Sequence, residues 1–369
     1  MNLVKLLVAF FCLFLAGTAA SQTNTPRTVS VNGNCGGYME YLPADYPTAT
    51  SKKYPTIIYI HGGASFGNGS AASLLAMANV EGVPLYIAKG QFPTSIVTPY
   101  GDTASFIAIS PQFMRMPSTP QDVKGVIDYV LAHYRVDLNR LYLTGYSLGG
   151  NAVWQAPFNL AQAQRLAAIV PVAGYNNPYY DTTAQFIAGA NVAVMAIHST
   201  ADMQALIAWS VNMVAKINSY NPATPAILAR LTTQSHDSTV TAAYNPSYRP
   251  FGKNIYEWML QYARFYPPIA NAGKDTSITL PVNSVTLSGS GSADRQGTAL
   301  TYLWTKTAGP AQYSISNAAT ANPVISGLIA GNYSFTLTVT NTAGLSSSAT
   351  VKIYVINPNA AVPPVAIAG

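Results

Sequence analysis

Leu141-Tyr142-Leu143-Thr144-Gly145-Tyr146-Ser147-Leu148-Gly149-Gly150 is the stretch whose reading decides the fold. It runs as a buried strand into the start of a helix, with Ser147 at the turn between them. In Gly145-Tyr146-Ser147-Leu148-Gly149 the serine is forced into a sharp, strained conformation that lifts its hydroxyl above the sheet edge. The flanking residues are glycine because a Cβ there would strike the neighbouring strand and helix. The helix that follows brings free N–H groups and a positive end beside that hydroxyl, where an oxygen turning negative is stabilised.

Outward from this turn, Tyr54-Pro55-Thr56-Ile57-Ile58-Tyr59-Ile60 is apolar on both faces, as expected of a parallel strand covered on both sides. It leads into His61-Gly62-Gly63-Ala64-Ser65-Phe66-Gly67. A phosphate cradle would need Lys-Ser/Thr behind the glycines, and that spacing is missing. An oxyanion loop needs a His-Gly-Gly turn presenting a backbone N–H, which is present. Further strands are expected at 37–42 (an edge), 105–110, 166–173, 192–197 and 226–231, and helices at 73–80, 120–134, 203–220 and 254–264. This alternation predicts an α/β fold, a mostly parallel doubly wound sheet with helices on both faces, over residues 37–265.

At Pro267-Pro268 the texture changes. Residues 266–357 are rich in Ser, Thr, Val, Ala and Gly, show no helical period and carry short alternating runs, which predicts a small all-β immunoglobulin-like sandwich. Pro267-Pro268-Ile269-Ala270-Asn271-Ala272-Gly273 recurs in altered form as Pro363-Pro364-Val365-Ala366-Ile367-Ala368-Gly369, so residues 358–369 read as a linker and the start of a second repeat. At the other end, Lys5, an apolar run from Leu6 to Ala16 and the small residues to Ala20 predict a signal peptide over residues 1–20, followed by a leader over 21–36. A secreted, extracellular protein is the expectation. The apolar run is too short for a membrane span. After cleavage Cys35 is the one remaining cysteine, so no internal disulfide is expected.

Charged residues make up 9% of the chain, and the net charge of +6 reflects few acids rather than runs of Lys or Arg. That pattern gives no electrostatic case for nucleic acid or for membrane binding.

A serine nucleophile needs a base and a carboxylate to orient it, and in such a sheet they follow in the order Ser, acid, His. Only His198 and His236 follow the serine, and between Ser147 and His236 the acids are Asp181 and Asp202. Asp202 stands just past an apolar strand, which selects Ser147 as nucleophile, Asp202 as the orienting acid and His236 as base. The alternative for Asp202 alone is a cap on the helix behind it. The N–H groups of Gly63 and Leu148, with Ala64 next in line, are the expected oxyanion donors, and Tyr146 and Tyr175 are candidate substrate contacts. The scheme uses no metal and no cofactor.

These stretches, together with Leu42-Pro43-Ala44-Asp45-Tyr46 and Ala196-Ile197-His198, resemble the α/β-hydrolase superfamily in its esterase, phospholipase/carboxylesterase and predicted-peptidase-like branch. The resemblance implies the same Ser147, Asp202 and His236. Two departures are Ser199, where Gly is common after the strand histidine, and the absence of a Trp after His236. The sandwich resembles PKD-like domains through Tyr302-Leu303-Trp304 and Gly309-Pro310, but lacks the Trp-x-Phe-Gly-Asp-Gly signature. The expected activity is serine hydrolysis of a small-molecule or polysaccharide ester, of acetyl or feruloyl type. A serine peptidase with the same triad and a catalytically inactive glycan-binding or adhesion protein are the alternatives.

Overall fold

Every residue from Tyr54 to Ile60 is buried, with Ile58 and Ile60 in one hydrophobic cluster and Ile57 and Tyr59 in another. Successive side chains of a strand point to opposite faces, so this strand separates two cores. The computed structural model describes residues 23–99, 101–175, 181–265, 267–294 and 297–359. The expected signal peptide and the start of a second repeat lie outside the described residues.

The chain divides into two compact units, residues 1–262 and 263–369. The first runs β1 (Thr25–Arg27), β2 (Cys35–Tyr41), β3 (Tyr54–Ile60), α1 (Ala71–Ala78), α2 (Gly82–Ala88), β4 (Ile107–Phe113), α3 (Pro120–His133), β5 (Val136–Tyr146), α4 (Leu148–Gln155) and α5 (Leu160–Ala163). It continues with β6 (Ala168–Val172), α6 (Asp181–Gly189), β7 (Ala193–Ser199), α7 (Ala208–Ser219), β8 (Ile227–Leu231), α8 (His236–Tyr244) and α9 (Ile255–Met259). The eight strands form one sheet in the order β1-β2-β4-β3-β5-β6-β7-β8. β2 is antiparallel to both its neighbours, and every pairing from β4 to β8 is parallel. This is the α/β-hydrolase fold. Helices α3, α4, α6 and α7 contribute Val126, Trp154, Ile187 and Met213 to the core on one face; α2, α8 and α9 contribute Tyr86, Tyr244 and Trp258 to the other. Among the described residues no single helix is long and apolar enough to cross a membrane.

The differences from the sequence reading have local causes. Residues 25–27, read as leader, pair with β2, and the Arg27 side chain meets Glu40. β4 continues through Pro111 to Phe113 because β3 pairs with it only as far as Ile109; beyond that the proline faces no ladder on the β3 side. Helix α7 starts at Ala208 rather than 203, because the Asp202 carboxylate takes the N–H groups of Gln204 and Ala205. Helices α2, α5, α6 and α8 lie outside the sequence expectation. In α2, Pro84 lies in the first turn, where its missing N–H costs no intrahelical hydrogen bond. Helix α9 ends at Met259, short of the expected 264.

Cys35, the first residue of β2, is fully buried beside Phe113 of β4, and its Sγ–H donates to the Gly37 carbonyl at 3.4 Å. Burial pushes the thiol up to about 12.

The second unit is a β-sandwich. One sheet has the order β9 (Thr276–Thr279), β15 (Ser346–Ile356), β14 (Gly331–Asn341), β11 (Leu300–Ala308); the other has β10 (Val285–Thr286), β13 (Val324–Ser326), β12 (Ser314–Ser316). The core gathers Trp304, Tyr333, Phe335, Leu337 and Ile353, and Trp304 Nε1–H donates to the Thr320 carbonyl at 3.2 Å.

Candidate active site

At the end of β5 the backbone of Ser147 adopts φ 55°, ψ −116°, a left-handed conformation that L-residues avoid at a cost of roughly 1–3 kcal/mol. It persists because the surroundings fix it. Ser147 N–H donates to the Val172 carbonyl at 2.9 Å, and its own carbonyl accepts from Asn151 N–H at 2.9 Å. The glycines around it are required by contact: a Cβ on Gly149 would sit 2.1 Å from the Ile60 carbonyl oxygen, and one on Gly150 would sit 2.6 Å from that of Val172.

The histidine arrives from the other side of the sheet. Ser235 caps α8 by accepting the Ser238 N–H, so His236 becomes the first residue of that helix rather than part of a loop. His236 Nε2 lies 2.8 Å from Ser147 Oγ, and Nδ1 lies 2.7 Å from Asp202 Oδ2. Asp202 and His236 are 3% and 6% exposed.

The Asp202 loop is held from below. His198, fully buried, places Nε2 2.7 Å from the Ala205 carbonyl and Nδ1 2.8 Å from Ser210 Oγ. Nε2–H therefore donates to the carbonyl and Nδ1 accepts from the hydroxyl; burial lowers the imidazole's proton affinity. Ser199 is buried too, and its Oγ accepts the Ala201 N–H at 3.1 Å. It supports the turn that delivers the acid.

Opposite the serine, Gly63–Ser65 forms one turn of 3-10 helix off β3. His61 Nδ1–H donates to the Gly62 carbonyl at 2.7 Å, while its Nε2 accepts the Phe113 N–H at 3.0 Å. Burial pushes this imidazole down to about 4, so it is neutral and its tautomer is fixed by those two partners. Gln112 Nε2–H donates to the Ser65 carbonyl at 3.1 Å. As the first residue of α4, Leu148 has an N–H with no acceptor inside the helix.

These elements surround a cleft of about 420 Å³, lined by Gly63, Ala64, Tyr146, Ser147, Leu148 and His236, and also by Val80, Glu81, Gln204, Asp237, Val240 and Thr241. The structure thus gathers Ser147, Asp202, His236, Gly63, Ala64, Leu148 and Tyr146 around one space. The Tyr146 ring lies 5.0 Å from the His236 ring, and its hydroxyl donates to Asp237 Oδ1 at 3.1 Å. Burial, then the Asp237 charge, raises that phenol. Tyr175 is not among the lining residues; its ring packs on Trp209 with centroids 5.5 Å apart.

Glu81 and Asp237 are the functional-looking groups that the sequence did not single out. Glu81 is 5% exposed, and Oε1 accepts the Gly62 N–H at 2.6 Å. Burial raises its carboxyl, and the Gly62 hydrogen bond opposes the shift. Among the described residues no group of three or more His, Cys, Asp or Glu side chains is placed to hold a metal ion.

The fold and this arrangement define the class: an α/β-hydrolase-fold unit with a Ser-His-Asp hydrogen-bond chain, followed by a PKD domain. The family model for the PKD domain of KIAA0319-like proteins matches residues 272–355. The dyslexia-associated protein KIAA0319-like protein of Mus musculus is 43% identical over 89 residues, which is 24% of this chain and 8% of that protein. The chain thus spans a small part of that curated relative. Among solved structures, a thermostable esterase aligns over 62% of this chain and 59% of its own at 17% identity and a TM-score of 0.45. The feruloyl esterase module from Clostridium thermocellum aligns over 63% and 89% at 15% identity and a TM-score of 0.40.

Proposed function

We propose that the protein is a secreted serine hydrolase that cleaves carboxylic esters through an acyl-enzyme. The observation that carries this reading is the continuous chain from Asp202 Oδ2 through His236 to Ser147 Oγ, with links of 2.7 and 2.8 Å, opening on the cleft. Ser147 Oγ attacks the ester carbonyl carbon while its proton passes to His236 Nε2. Asp202 holds the opposite nitrogen as the donor and stabilises the imidazolium. The N–H groups of Leu148 and Gly63, with Ala64 next in line, meet the oxyanion, each worth roughly 3 kcal/mol in the transition state. His236 then gives its proton to the departing alkoxide as the C–O bond breaks, leaving the acyl group on Oγ. Water repeats the sequence and releases the acid, so water is the sole co-reactant.

Acyl esters of polysaccharide are the proposed substrates. Tyr146, Gln204, Asp237 and Thr241 place hydrogen-bonding groups on a wall that also carries Val80, Leu148 and Val240, a mixture suited to an acylated sugar. The appended PKD domain is consistent with a polymeric substrate outside the cell.

Labelling with a fluorophosphonate followed by mapping of the modified residue tests the reading. Modification of Ser147 is expected, and labelling elsewhere or nowhere overturns it. A panel of p-nitrophenyl acetate, methyl ferulate and peptide anilides tests the bond cleaved; turnover of the anilides alone would overturn the ester assignment in favour of a peptidase.

A further inference from the structure

The turn that carries Gly63 and Ala64 is gripped through the two peptides that flank Gly62 on its β3 side. The Gly62 carbonyl accepts from His61 Nδ1, and the Gly62 N–H donates to Glu81 Oε1 at 2.6 Å, the shortest contact to this turn. Glu81 is not a passing neighbour. It occupies the N-cap position of α2 in extended conformation, ahead of Gly82 at φ 68°, where a Cβ would lie 2.0 Å from Cζ of Tyr59. The α2 backbone is therefore fixed against β3, which carries Tyr59, and the carboxylate is delivered to Gly62 from a rigid base.

The buried hydroxyls of Tyr59 and Ser65 lie close enough to act on the same carboxylate, and neither makes a hydrogen bond of normal geometry. A buried carboxyl is costly unless donors surround it. Here its closest donor is a backbone N–H adjoining Gly63, whose N–H the proposed mechanism uses. A Cβ on Gly62 would meet the Tyr146 ring at 2.9 Å and Glu81 Oε1 at 3.3 Å, so carboxylate, turn and cleft wall are in mutual contact.

We infer that Glu81 is a positioning residue of the oxyanion turn: by holding the Gly62 N–H it orients the Gly62–Gly63 and Gly63–Ala64 peptides so that the Gly63 and Ala64 N–H groups are directed at the oxyanion formed at Ser147. This rests on the serine-hydrolase reading of the site. Removing the acceptor frees the His61–Gly62 peptide, on which the peptides carrying the Gly63 and Ala64 N–H groups are mounted, and the misdirected donors then fail the transition state more than the ground state.

The test uses the full chain and a matched pair of substrates, a p-nitrophenyl ester and its thionoester, in which C=S replaces C=O. Sulfur accepts hydrogen bonds poorly, so the oxygen-over-sulfur ratio of kcat/KM reports the quality of the oxyanion donors, and measuring both on one preparation cancels any loss of folded protein. Glu81→Ala, and Glu81→Leu as the variant that retains volume, are expected to lower kcat on the oxygen ester by about 100-fold with KM within about threefold. The oxygen-over-sulfur ratio is expected to fall by at least about tenfold. Glu81→Gln keeps an acceptor for Gly62 and is expected to stay within about fivefold of wild type.

An unchanged ratio in Glu81→Ala and Glu81→Leu, or a kcat within about threefold of wild type in Glu81→Leu, overturns the positioning role and leaves the serine reading standing. Retention of full turnover in a parallel Ser147→Ala control removes the serine reading itself.

Discussion

Asp202 divides its two carboxylate oxygens between two tasks: Oδ2 meets His236 Nδ1 at 2.7 Å, while Oδ1 accepts the N–H groups of Gln204 and Ala205, each at 2.9 Å. The helix-cap reading of this residue is not met, since α7 begins at Ala208 with Ile207 at its N-cap; Oδ1 holds the turn at Gln204 and Ala205 instead, while Oδ2 faces the histidine. Asp202→Asn separates the two tasks. The amide oxygen can still cap the loop, but the amide N–H₂ turned to His236 favours the wrong tautomer. We expect kcat to fall about 10³–10⁴-fold with the thermal midpoint little changed, checked by steady-state kinetics beside calorimetry.

Ser147→Ala removes the attacking oxygen and leaves the strained turn one atom lighter. A loss of at least about 10³-fold in kcat on p-nitrophenyl acetate is the expected outcome. Equal activity in mutant and wild type would favour the binding-protein alternative.

Gly149→Ala sets a Cβ 2.1 Å from the Ile60 carbonyl oxygen, a backbone atom of the central strand with no room to give. A destabilisation of about 2–3 kcal/mol is expected, read from the denaturant midpoint of the first unit.

His61 supplies a pH dependence of stability. Its imidazole is held near 4 in the fold against an ordinary value of 6.5, so the unfolded chain binds the extra proton anywhere between. The contribution is full above about 6.5 and is lost as pH falls toward 4, by about 3 kcal/mol across the window; buried His198 acts in the same direction. Urea midpoints at pH 7 and pH 5 should show the decline, and His61→Gln should flatten it.

Trp304 is 2% exposed at the centre of the second unit's core. Trp304→Ala is expected to cost that unit about 3–5 kcal/mol, measured as its own unfolding transition, with ester turnover by the first unit unchanged.

What the sequence made legible was whatever local geometry compels. Gly149 and Gly150 can only be glycine because backbone carbonyls occupy the space beside them, and the runs in β3 and β7 are apolar on both faces because two cores meet there. Ser147, Asp202 and His236 followed from chain order, since few acids and imidazoles were available after the serine. Glu81, Gln204 and Asp237 were not legible: each reaches the cleft through the packing of α2, the Asp202 loop or α8, and no spacing in the chain records those approaches. Tyr175 shows the converse error, an aromatic near the elbow in sequence whose ring is occupied by Trp209.

The sequestered sulfur of Cys35 makes the protein its own clock. In a chain beginning after residue 20 it is the single thiol. A colourless disulfide reagent added to native protein can react only when the core packed over the start of β2 opens, so the rate at which colour appears reports how often that edge of the sheet is uncovered.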